Sequence, residues 1–195
     1  MIYVFCRGLL RFIYAIFFPL KVVGRENVPK EGGVLLCANH ISLLDPFTMG
    51  IKLERHVKYM AKAEIFKVPV IGWIARQVGA FPVKREGVSK ESIKTALNTL
   101  RGGNVMGIFP EGTRNSDVGA AKKGAASFAL RSGAAVVPAA IIGQYKLFRR
   151  MTIIYGAPID LSEFAGAGSD SLDAVTDVIM GKIRGMLETG KPSQK

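Results

Sequence analysis

Three stretches of this chain carry no polar side chain at any position: residues 34–38 (Val-Leu-Leu-Cys-Ala), 105–109 (Val-Met-Gly-Ile-Phe) and 134–142 (Ala-Ala-Val-Val-Pro-Ala-Ala-Ile-Ile). A strand with one wet face alternates apolar and polar residues; a continuous apolar run suits a strand buried on both faces. Shorter runs at 22–29, 57–61, 79–85 and 152–155 read as further strands. Between them the spacing turns helical. Ile93, Ala96, Leu97 and Leu100 share one helix face, and so do the apolar positions 172, 175, 179, 183 and 186. Residues 47–53, 63–78 (broken at Pro69) and 120–131 also read as helical. Strand and helix patterns therefore alternate. The expected fold is α/β, with a mainly parallel or mixed sheet covered by helices on both faces. At 195 residues this is one domain with a sizeable core.

In such sheets ligands bind beyond the carboxyl ends of strands. Three predicted strand ends carry polar groups: His40 after the first run, Lys84-Arg85 after 79–83, and Glu111 to Arg114 after 105–109. Asp45 lies five residues past His40. On one helix, residues five apart differ by about 140° in direction and do not meet. They meet if His40 ends the strand and the chain turns back before Asp45. The carboxylate then fixes the imidazole tautomer and leaves the other ring nitrogen to take a proton. Asp45-Pro46 is equally a helix start, with Asp45 as N-cap and Pro46 at the first helical position. Both readings are compatible. Arg85 and Arg114 offer planar forks suited to a phosphate. Their plainer reading is surface charge or an ion pair to Glu111.

Composition narrows the partners. Net charge is +12, hydrophobic residues make up 49%, and mean hydropathy is +0.24. Together these point to an anionic lipid surface rather than nucleic acid, for which no recognition motif is present. Residues 1–20 are almost wholly apolar, with Arg7 and Arg11 four apart. Each Arg near the middle of a span costs about 2.5–3.5 kcal/mol, which disfavours a spanning helix. No small-residue cleavage site follows, so a signal peptide fits poorly. The expectation is an interfacial membrane helix. Arg7 and Arg11 form a stripe toward lipid headgroups, and Phe5, Leu9, Phe12, Ile16 and Phe17 face the acyl region. A core helix is the alternative. From Lys52 to Arg85 eight basic residues stand against two acidic ones, around an apolar segment holding Trp73. That segment reads as a second lipid-contacting surface, with Trp73 either an interface anchor or a core residue. Cys6 and Cys37 suggest no disulfide framework and a reducing compartment. Without ligand-like spacing of His and Cys, no metal site is expected.

These residues carry a resemblance. Asn39-His40-Ile41-Ser42-Leu43-Leu44-Asp45 is similar to the N-H-x4-D signature of the glycerolipid acyltransferases. Gly79 to Arg85 resembles their second block, Phe109-Pro110-Glu111-Gly112-Thr113-Arg114 their third, and Val136-Val137-Pro138 their fourth. Order and spacing agree over about residues 22–158. The chain most resembles the short bacterial 1-acylglycerol-3-phosphate acyltransferases. That resemblance implies a reaction in which His40, oriented by Asp45, deprotonates the 2-hydroxyl of lysophosphatidic acid. Attack on an acyl thioester, carried by acyl carrier protein or coenzyme A, then gives phosphatidic acid. It implies that Arg85 and Arg114 hold the acceptor phosphate with Lys84 assisting, that Glu111 and Gly112 position the glycerol, with Thr113 in the same binding block, and that no cofactor is needed. Ser42 is then a turn or helix-start residue, and Cys37 belongs to the core. Backbone amides at the helix start after Asp45 are the expected oxyanion donors. One departure is Lys84, where many members carry an acidic residue. Rival readings are another acceptor, such as glycerol 3-phosphate or another lysophospholipid, and a non-enzymatic basic lipid-binding protein. The expected layout is an anchoring helix at 1–20, the catalytic domain at 21–190 and a polar tail at 191–195. The expected location is the cytoplasmic face of the cell membrane.

Overall fold

A computed structural model describes residues 2–77, 79–83, 90–111, 118–164, 166 and 171–194. Its centre is a seven-stranded mixed sheet. In chain order the strands are β1 (Leu20–Val23), β2 (Val34–Ala38), β3 (Val57–Lys62), β4 (Phe81–Val83), β5 (Val105–Ile108), β6 (Ala135–Ile142) and β7 (Met151–Tyr155). Across the sheet the order is β1-β7-β6-β2-β5-β3-β4. The five strands from β6 to β4 are mutually parallel, while β7 runs antiparallel to β6 and β1 follows β7. The helices are α1 (Ile2–Phe17), α2 (Asp45–Gly50), α3 (Pro69–Gln77), α4 (Lys90–Arg101), α5 (Val118–Ser132) and α6 (Leu172–Thr189).

The continuous apolar runs are the central strands, as their patterning requires. Every residue of β2 is buried, and the two-residue period divides it between two cores. Val34, Leu36 and Ala38 pack with Met49 of α2 and Leu53 on one face. Leu35 and Cys37 pack on the other, with Ala96 and Leu100 of α4, Phe128 of α5 and Ile179 of α6. The faces predicted for α4 and α6 are the ones they bury. In β5, Gly107 has no room for a side chain: an added Cβ would lie 2.3 Å from the Tyr59 ring. Only glycine lets β3 bring that ring over the strand.

α1 is one unbroken helix fastened to the domain, and this corrects the expected direction of its arginines. Arg7 donates to the carbonyl oxygens of Leu53 and Glu54, both at 3.2 Å, and Arg11 to that of Ile51 at 2.8 Å. They face inward, onto carbonyls just past the end of α2, not toward lipid. The guanidinium, with five donors, fits carbonyls left without partners where a helix ends. The opposite face is apolar and open: Leu9, Phe12, Ile16 and Phe17 are exposed, Phe12 by 64%. The side chain of Phe5 lies outside the described residues. Trp73, 51% exposed, is a surface residue on α3 beside exposed Val70, Ile71 and Ile74. Among the described residues, no helix is long and apolar enough to cross a membrane. The chain's end packs on the domain, where the Ser193 carbonyl accepts from Ala157 N–H at 2.9 Å.

Candidate active site

His40 lies two residues past the carboxyl end of β2, and the chain turns back at once. His40 Nδ1 and Asp45 Oδ2 are 2.7 Å apart, although they stand five positions apart in sequence. The carboxylate also builds the turn that brings it there. Asp45 Oδ2 accepts from the backbone N–H groups of Ile41 and Ser42, each at 2.6 Å. Its Oδ2 therefore reaches back to residues before α2, neither oxygen bonds forward into the helix, and the N-cap reading of Asp45 is set aside. α2 begins instead with Leu44 as its cap and Pro46 in the first turn. Ser42 acts within the turn: its hydroxyl accepts from Leu44 N–H at 3.2 Å.

Asp45 is fully buried, while the His40 side chain keeps 15% of its surface exposed. An ionised carboxylate only accepts, so the Nδ1–H of His40 is the donor in that pair. The tautomer is thereby set, and Nε2 is left to take a proton. Phe109, just beyond β5, lies flat against the imidazole with ring centroids 4.3 Å apart and an interplanar angle of 18°. Parallel pairing of β2 with β5 sets Cys37 beside Ile108, which places the two strand ends together. The same segment delivers Glu111, whose Oε2 lies 3.5 Å from the backbone nitrogen of His40. β4 ends at Val83 on this edge of the sheet. Lys84, Arg85, Gly112, Thr113 and Arg114 lie outside the described residues.

The helix-start amides do not supply an oxyanion site. Asp45 N–H donates to Ser42 O, and those of Phe47 and Thr48 both donate to Leu44 O. Pro46 has no N–H. The first turn is closed on itself, and the expectation of oxyanion donors there is corrected.

Sequence reasoning missed three hydroxyls. Tyr145, beyond the end of β6, donates to Asp45 Oδ1 at 2.8 Å. Thr48 Oγ1 lies 2.7 Å from the Tyr145 hydroxyl and 2.9 Å from that of Tyr14 on α1. Burial pushes the Tyr145 phenol far above its ordinary value, and the Asp45 charge adds to this; burial raises Tyr14 as well. The strand-end rule that picked out His40 applies equally to the run at 134–142 and would have reached Tyr145.

The sequence model of the acyltransferase family matches residues 19–142. The chain belongs to the acyltransferase family. Its matched segment runs from β1 through β6 and so contains the His40–Asp45 pair, Phe109 and Glu111. The chain is 35% identical to the 1-acyl-sn-glycerol-3-phosphate acyltransferase of Bacillus subtilis, over 93% of this chain and 95% of that protein. It is 28% identical to the enzyme of the same name from Streptococcus pneumoniae, over 98% and 75%. Among solved structures it is similar to the 1-acyl-sn-glycerophosphate acyltransferase PlsC of Thermotoga maritima. The TM-score is 0.63 at 23% identity, covering 87% of this chain and 72% of the other. That likeness concerns the fold of this acyltransferase.

Proposed function

We propose that this acyltransferase moves an acyl chain from an acyl thioester to the 2-hydroxyl of 1-acylglycerol 3-phosphate, making phosphatidic acid. The observation that carries the reading is the 2.7 Å contact between His40 Nδ1 and a fully buried Asp45 at a strand end. An imidazole held this way is an oriented base. Nε2 takes the hydroxyl proton as the oxygen attacks the thioester carbonyl. The tetrahedral adduct collapses and expels the thiolate, which takes the proton back from the imidazolium. The products are the ester and a free thiol, and His40 ends as it began. A thioester is already activated, so no acyl-enzyme is required.

In this reading Arg85 and Arg114 grip the acceptor phosphate with Lys84 beside them, while Glu111, Gly112 and Thr113 place the glycerol. The donor is an acyl thioester of acyl carrier protein or coenzyme A, and no cofactor takes part. The exposed faces of α1 and α3 lie against the anionic cytoplasmic face of the membrane, without spanning it. The basic balance of the chain and the apolar residues along those helices support this. Leu147 and Phe148, exposed at the tip of the β6–β7 loop, extend that surface next to Phe17.

The test is thiol release by the full chain and its His40→Ala variant, with mass-resolved products, both donors and several lysolipids. The expected result is phosphatidic acid from the native protein and no thiol from the variant, with a cooperative thermal unfolding transition retained. Full turnover by the variant would remove His40 as the base. A preferred product other than phosphatidic acid would change the acceptor.

A further inference from the structure

The hydrogen bonds around Asp45 continue to α1, and their direction is fixed. Tyr145 Oη gives its one hydrogen to Asp45 Oδ1 at 2.8 Å. In the 2.7 Å contact between Tyr145 and Thr48, the donor must then be Thr48. Its hydrogen is engaged as well, so the 2.9 Å contact between Thr48 and Tyr14 is donated by Tyr14. The two longer contacts to Leu44 O, both 3.3 Å, offer Tyr14 and Thr48 only weaker alternatives. Thr48 and Tyr14 are buried. The line therefore runs one way: from Tyr14 on α1, through Thr48 on α2 and Tyr145 on the β6–β7 loop, to the carboxylate that holds His40.

We propose that Tyr145 is a positioning residue for the base, and that this hydroxyl line makes the setting of the His40 ring depend on α1 being seated on the domain. The inference rests on His40 being the base. Arg7, Arg11 and Tyr14 lie on one face of α1, and all three bond to α2 or the turn after it. The opposite face of α1 is the apolar one assigned above to the lipid. The loop that carries Tyr145 is tied to the same helix: Phe148 N–H donates to Phe17 O at 2.7 Å. Tyr14 and Tyr145 thus sit on elements that meet the membrane in this reading. Seating α1 supports turnover itself as well as access to substrate.

The experiment is steady-state kinetics of the full chain on mixed micelles, with thermal unfolding of every variant. Tyr145→Phe keeps the ring and removes the hydroxyl. Its kcat is expected to fall about tenfold, the size of one hydrogen bond to a charged group. KM for the lysolipid should stay within about twofold, because only the base is disturbed. Asp45, relieved of one donor, holds the imidazolium more strongly, so the acidic limb of the kcat profile moves to higher pH. Glu111, among the described residues the other carboxylate close to His40, is the same in both proteins and does not account for that shift. Thr48→Val should behave like Tyr145→Phe, whereas Thr48→Ser, which keeps the hydroxyl, should restore turnover. Tyr14→Phe should lower kcat on its own and add nothing in the Tyr145→Phe background. A native kcat for Tyr145→Phe, a fall with an unmoved acidic limb, or additive effects of Tyr14 and Tyr145 would each overturn the proposal. His40→Ala in the same assay separates the two levels. Activity in that variant sinks the base itself; an inactive variant beside a native Tyr145→Phe sinks only the hydroxyl line.

Discussion

Asn39 holds the backbone of Ile141 from both sides. Its Nδ2–H donates to the Ile141 carbonyl at 3.0 Å, and its Oδ1 accepts from the Ile141 N–H at 2.8 Å. The side chain stands in for one more rung of the ladder between β2 and β6 just where β2 ends. The next residue is His40, so this pair of hydrogen bonds fixes the height from which the imidazole enters its turn.

Asn39→Ala takes both partners from a buried peptide group. It should destabilise the fold by about 2–4 kcal/mol, measured as a lower urea midpoint at an unchanged slope. Asn39→Asp keeps the acceptor but sets a carboxylate oxygen against the Ile141 carbonyl in a buried place, so it should be no more stable than Asn39→Ala. A midpoint equal to the native one for Asn39→Ala would show that the rung carries no load.

Asp45 accepts four hydrogen bonds, from the His40 ring, two backbone amides and Tyr145. An asparagine has one accepting oxygen, and its amide would face donors. Asp45→Asn should cost about 3 kcal/mol of stability. It should also lower kcat by roughly a hundredfold or more, the scale of an oriented base. Thiol release and thermal unfolding on the same sample read both effects.

Phe12 and Leu9 are exposed on α1, on the side away from Arg7 and Arg11. Phe12→Asp leaves the inward contacts of the helix untouched, so unfolding should not change. Binding to anionic vesicles should weaken about 30-fold, the equivalent of losing about 2 kcal/mol of apolar burial. Co-sedimentation with vesicles measures it, and native binding by a Leu9→Asp, Phe12→Asp double variant would move the lipid contact to α3.

Complete burial pushes the Cys37 thiol up from 9.0 to about 12. The folded state keeps this proton while the unfolded chain loses it, so the contribution is whole below pH 9. It declines as pH rises toward about 12. Stability should therefore drop through this alkaline window. The phenols of Tyr14, Tyr145 and Tyr155, each raised by burial in whole or in part, act in the same direction. Cys37→Ala isolates the thiol: the variant should lose stability less steeply with pH. At neutral pH a thiol reagent should label Cys6, which is partly exposed, well before Cys37.

Much of the fold was legible because its signals are local. The runs at 34–38, 105–109 and 134–142 had no polar side chain to turn toward water, and they became the three neighbouring strands at the centre of the sheet. His40 and Asp45 were legible because a five-residue spacing excludes a shared helix face and leaves a turn. Asn39 was visible within the motif, but its grip on Ile141 spans 102 residues and leaves no local trace. Thr48 and Tyr14 were missed for the same reason, whereas Tyr145 stood just past a strand end whose loop was not followed. The arginines of α1 were misdirected because a helical wheel shows that they share a face, but not what that face meets. The carbonyls at 51, 53 and 54 that claim them belong to another part of the chain. The aim of the Asp45 carboxylate was similarly hidden, since an N-cap and a backward-bonding turn use the same residue before the same proline.

Phe109 lies flat on the imidazole, two residues ahead of Glu111. A ring held against such a plate slides within its plane but resists tipping, so a proton arrives and leaves along one line. The plate and the neighbouring carboxylate hang from a single short stretch of backbone. Whatever displaces Phe109 therefore displaces Glu111 with it, and the imidazole feels both at once.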